Sequence, residues 1–120
     1  MTKNKKHILV VDDESEDLDT MKTILEKEGY EVTAVSDGTD ALDKLTGNGF
    51  DIILMDIRMP ELSGYELLRM LREKINHHAK MLYVSIVPEK EIDMTDADGF
   101  IQKPFSPESL LKAVKKAMED

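Results

Sequence analysis

The sequence predicts an α/β fold in which a single doubly wound, five-stranded parallel sheet of order 2-1-3-4-5 carries helices on both faces. Three observations lead there. Five short apolar runs rich in β-branched residues alternate with helix-period segments, the pattern of repeated βα units. Two of those runs, Ile8–Val11 and Ile52–Met55, are apolar throughout, as strands covered on both faces are. A third, Glu31–Val35, partly alternates polar with apolar residues and belongs at an edge. Right-handed crossovers then give the strand order, and a ligand site at the carboxyl ends of the first and third strands, where the winding reverses.

Taken in order, the first strand lies near His7–Val11, and a helix follows Asp13 with Leu18, Met21, Ile24 and Leu25 on one stripe and Gly29 as its stop. The second strand is Glu31–Val35. The second helix has Asp37 or Thr39 as cap, buries Ala41, Leu42 and Leu45, and ends at Gly47. The third strand is Asp51–Met55, and the third helix carries Leu67, Leu68, Leu71 and Ile75. The fourth and fifth strands are Met81–Ser85 and Gly99–Gln102. Between them only Ile92 and Met94 offer apolar weight, while Glu89, Lys90, Glu91, Asp93 and Asp96 favour water. The fourth helix is therefore expected to be short or irregular and mobile. The fifth helix is the best marked, with Ser106 as cap, Pro107 at its first position, Glu108 near its positive end, and Leu110, Leu111, Val114 and Met118 facing inward.

A chain of 120 residues suits one domain, expected over 1–120. With 41% hydrophobic and 34% charged residues it reads as a soluble globular protein. No apolar run approaches the roughly 20 residues that span a bilayer, so no membrane insertion is expected. The basic start Met1–Lys6 lacks the apolar stretch of a secretion signal, and a cytoplasmic location is expected. Having no cysteine leaves oxygen or imidazole as metal ligands. The net charge of −9 argues against direct contact with nucleic acid or anionic lipid and favours a cation or a basic partner surface. Met21, Met70 and Met118 read as core filling, and His7, His77 and His78 fall away from the predicted site and receive no catalytic role.

The chemistry concentrates where the strands end. Asp12 and Asp13 close the first strand and Asp56 closes the third, so three carboxylates should converge at the winding reversal. Such a cluster repels itself and needs a cation; with oxygen ligands and no nearby imidazole, Mg²⁺ is the natural one, and its remaining coordination places suit phosphate oxygens. Ser85 and Lys103 end the fourth and fifth strands, bringing a hydroxyl and an ammonium to the same edge. Taken singly, each aspartate reads equally well as a helix cap, Ser85 as a cap and Lys103 as a snorkelling cation. Their joint placement argues for a phosphate cradle.

Val10-Val11-Asp12-Asp13-Glu14, Leu54-Met55-Asp56-Ile57-Arg58-Met59-Pro60 and Lys103-Pro104-Phe105 resemble the signature segments of response-regulator receiver domains, the CheY-like family with a flavodoxin-like (βα)5 fold. The resemblance covers essentially the whole chain. It implies that Asp56 is the phosphoacceptor, that Asp13, Asp56 and the backbone carbonyl of Arg58 bind Mg²⁺, and that Asp12 supports the metal. It further implies that Lys103 pairs with Asp56, that Ser85 and Phe100 switch on phosphorylation, and that the Lys103–Pro104 bond is cis. The partners so implied are a histidine kinase or histidine phosphotransfer protein in a phosphorelay and a downstream protein target, for a receiver that catalyses its own phosphorylation and dephosphorylation without a turnover substrate; with no output domain read after Asp120, a stand-alone receiver is expected.

Two departures stand out: Ile86 replaces the small residue usual after the switch hydroxyl, and the fourth helix is shortened. They admit a phosphorylation-independent receiver-like binding module as an alternative. An aspartyl-phosphate phosphatase is a second alternative, although its two aspartates are typically two residues apart and Asp12 and Asp13 are adjacent.

Overall fold

The computed structural model describes residues 5–45, 49–57, 69, 79–94 and 97–119. The third helix read at Leu67, Leu68, Leu71 and Ile75 lies outside the described residues, as do Gly47, Arg58, Met70, His77 and His78.

Five strands form one parallel sheet in the order β2-β1-β3-β4-β5: β1 His7–Val11, β2 Glu31–Val35, β3 Ile52–Asp56, β4 Lys80–Ser85 and β5 Gly99–Gln102. Among the described residues three helices have both ends in view: α1 Ser15–Lys27, α2 Gly38–Leu45 and α3 Pro107–Glu119. Among the described residues the β4–β5 connection holds one 3₁₀ turn, Glu89–Glu91, where the sequence predicts a short or irregular helix.

The helix ends follow local chemistry. α1 closes with Gly29 at φ 96°, while the Gly29 N–H donates to the Glu26 carbonyl (3.0 Å) and the Tyr30 N–H to the Leu25 carbonyl (3.2 Å). That pair of bonds is the Schellman stop, and it requires the left-handed conformation that glycine adopts without strain. α2 is capped by Asp37, whose Oδ1 accepts from the Asp40 N–H at 2.8 Å. α3 starts at Pro107 behind a reciprocal cap: the Ser109 N–H donates to Ser106 Oγ (3.0 Å) and the Ser106 N–H to Ser109 Oγ (2.9 Å).

Alternation along the strands sorts the core into two layers. Leu9, Val11, Ile53, Met55, Met81 and Tyr83 pack on the face that carries α2 and Ile92. Ile8, Val10, Ile52, Leu54, Val84 and Ile101 pack on the other, against Met21 and Leu25 of α1 and Leu110, Val114 and Ala117 of α3. β3 is buried along its whole length, as an inner parallel strand should be. Among the described residues no helix is long and apolar enough to cross a membrane.

Candidate functional site

The sheet register brings the site together. Val11 of β1 lies beside Met55 of β3, so the next residues, Asp12 and Asp56, leave the sheet side by side. Asp56 pairs with Val84, and Ser85 pairs with Gln102, which puts Lys103 one step beyond β5 at the same edge. Parity then selects the face. Asp12, Asp56 and Lys103 continue the rows of Val10, Leu54 and Ile101 towards α1 and α3, whereas Ser85 and Phe100 continue the Tyr83 row towards the other layer.

Asp12, Asp56, Ser85 and Lys103 are the buried polar and charged residues among those described. Lys103 Nζ lies 2.8 Å from Asp12 Oδ2, 2.9 Å from Asp17 Oδ2 and 3.2 Å from Asp56 Oδ2. Asp12 Oδ1 also accepts from the Glu14 N–H at 2.9 Å, so the carboxylate just before α1 serves the helix start, and Glu14 occupies the cap position without a side-chain bond. Burial pushes Asp12 up to about 6, against the lowering pull of its bonds to Lys103 and to the Glu14 N–H. Burial alone would lower Lys103, but its hydrogen bonds to Asp12 and Asp17 and the charges of Asp12 and Asp56 outweigh that and raise it, so the ammonium stays charged.

Asp12, Asp13 and Asp56 each present an oxygen, all within 4.8 Å of one another, with Asp13 exposed and the other two buried. An oxygen-only donor set of this kind fits a hard cation such as Mg²⁺. Beside it opens a cleft of about 320 Å³ lined by Asp13, Glu14, Asp17, Asp56, Ile86 and Lys103. Ser85 Oγ accepts from the Val87 N–H at 3.1 Å, and Phe100 packs half-buried against the Tyr83 layer. The Lys103–Pro104 peptide bond is cis.

The family model of the response regulator receiver domain matches residues 8–115. The chain belongs to the response regulator receiver family. It is 36% identical over 109 residues to the response regulator SaeR of Staphylococcus epidermidis, covering 88% of this chain and 47% of SaeR; it spans about half the length of the curated relatives it matches. Among solved structures it resembles the response regulator TrrA of Thermotoga maritima in complex with Mg²⁺-BeF (TM-score 0.84, 33% identity, 93% of this chain and 98% of that one). It is also similar to the chemotaxis response regulator CheY4 of Vibrio cholerae (TM-score 0.86, 29% identity, 95% and 99% covered). Receivers of this family serve two-component signalling, and this chain shares their fold.

Two contacts of this receiver escape a reading of its sequence. Asp17 pairs with Lys103, and a signal for it exists: Asp17 heads the buried stripe Met21, Leu25 at helical spacing, an acid where an apolar residue would pack. Gln102 is the second. Its Nε2 donates to the carbonyls of Ser85 (3.0 Å), Ile86 (3.0 Å) and Lys103 (3.2 Å), tying β5 to the loop after β4.

Proposed function

We propose that this receiver is switched by phosphorylation of Asp56, with a histidine kinase or histidine phosphotransfer protein as donor, Mg²⁺ as cofactor and a protein–protein surface as output. The observation that carries the reading is the buried pairing of Lys103 with both Asp12 and Asp56 beside the three-carboxylate cluster. An ionised Asp56 oxygen is already a nucleophile and needs no general base. It forms the new O–P bond as the donor's P–N bond breaks, the electron pair leaving with the donor nitrogen. Asp12, Asp13 and Asp56 would hold Mg²⁺, with the Arg58 carbonyl assigned to it by family resemblance; when bound, the ion neutralises charge on the transferring oxygens. Lys103 offers its ammonium to the same oxygens. Ser85 would turn from the Val87 N–H to donate to the phosphoryl group, and Phe100 would follow it inward.

The test is intact-mass measurement after incubation with acetyl phosphate and Mg²⁺. The wild type should gain one phosphoryl group and Asp56→Asn none. A wild type that gains nothing, and whose spectra Mg²⁺ leaves unchanged, would return the chain to a phosphorylation-independent binding module. The exposed Ile86, at 61% of its surface beside Asp56 in the cleft, is what favours that second reading.

A further inference from the structure

A lysine ammonium has three N–H donors, and Lys103 has three carboxylates within ion-pair distance. The three are not equivalent. Asp12 is fully buried and cannot turn to water without leaving a charge stranded, and Asp56 is the proposed acceptor. Asp17, in the first turn of α1, keeps 36% of its side chain exposed and can be hydrated instead. A phosphoryl group on Asp56 brings more negative charge and three acceptor oxygens to within reach of Lys103. The donor that Asp56 holds passes with its charge to the phosphoryl oxygens; a second donor reaches them only by leaving Asp12 or Asp17, and the Asp17 bond is the one that water can replace.

We propose that Asp17 is a positioning residue that acts through Lys103, competing with the phosphoryl group for the ammonium and so lowering the occupancy of the phosphorylated state. This rests on the reading that Asp56 is the acceptor. Removing the charge of Asp17 helps in two ways of the same sign: Lys103 becomes free to turn to the phosphoryl oxygens, and a negative charge facing them is lost. A partly exposed ion pair contributes modestly, so the expected gain is about twofold to fivefold in affinity.

The experiment is titration of wild type, Asp17→Asn and Asp17→Glu with beryllofluoride, a phosphoryl mimic, at saturating Mg²⁺, followed by amide NMR. Saturating Mg²⁺ removes any effect of Asp17 on metal affinity. Asp17→Asn should bind about twofold to fivefold more tightly, and Asp17→Glu should return to the wild-type affinity, a rescue that a purely structural role would not produce. A wild type that binds beryllofluoride, alongside an Asp17→Asn protein that binds it no more tightly, overturns the competition and leaves the acceptor reading standing. A wild type that neither binds it nor takes a phosphoryl group from acetyl phosphate overturns both.

Discussion

The two faces of the sheet treat their polar groups differently. On the α1 and α3 side, Asp12, Asp56 and Lys103 sit at the ends of fully packed rows, beneath helices with well-formed terminal stops and caps. On the other side the connection between Ser85 and Phe100 holds, among the described residues, one 3₁₀ turn that buries no side chain; Ile92 is buried, Val87, Met94 and Ala97 pack partly buried beside it, and Ile86 is exposed. Alternation along the strands thus divides the polar groups: the charged cluster lies on the first face, and Ser85, fully buried, and Phe100, half-buried, lie on the second.

The largest effect that would break this comparison comes from the packed face. Lys103→Ala leaves Asp12 and Asp56 buried without their cation, and should lower stability by about 2–4 kcal/mol in urea titrations without Mg²⁺. Added Mg²⁺ should stabilise this variant more than the wild type. Equal stability of the two proteins without metal would mean that the cluster is not held by its ion pairs.

Next comes pH. Burial raises Asp12 to about 6 from an ordinary 3.8, so between those values the metal-free folded protein binds more protons than the unfolded chain. The stability this provides is complete below the unfolded value and is lost as pH rises through about 6. The loss should be on the order of 2 kcal/mol between pH 4 and 7, and Asp12→Asn should flatten that slope in denaturation measured across the range.

On the second face the effects shrink. Gln102→Met removes the amide that ties β5 to the Ser85 and Ile86 carbonyls, and should cost about 1 kcal/mol while speeding hydrogen exchange at the Val87 amide. Unchanged exchange would show that the amide does not restrain this loop. Ile86→Ala should change stability by less than about 0.5 kcal/mol, because the side chain is already exposed. Its effect should appear in kinetics instead, as faster phosphorylation by acetyl phosphate, and an unchanged rate would mean that Ile86 does not screen the acceptor.

Much of the fold was legible because its signals are local. β-branched runs located all five strands, Gly29 stopped α1, and Ser106 with Pro107 started α3. Boundaries moved where pairing rather than composition decided them. β3 runs from Ile52 to Asp56 rather than Asp51 to Met55, since Ile52 finds Ile8 across the sheet and Asp56 finds Val84. β4 likewise gains Lys80, which pairs with Ile52. The helix expected to follow Asp13 begins at Ser15, and the carboxylate that meets its start is Asp12, bonded to the Glu14 N–H.

The sequence by itself determined which groups end the strands: strand length and period are written in neighbouring residues, so Asp12, Asp13, Asp56, Ser85 and Lys103 fall at one edge once the strands are parallel. It did not determine how one ammonium is shared among acids. That Lys103 reaches Asp12, Asp17 and Asp56, and that Gln102 fastens the loop after Ser85, depends on the sheet register and on where α1 packs. Those distances are set by residues far apart along the chain, and only the folded core fixes them.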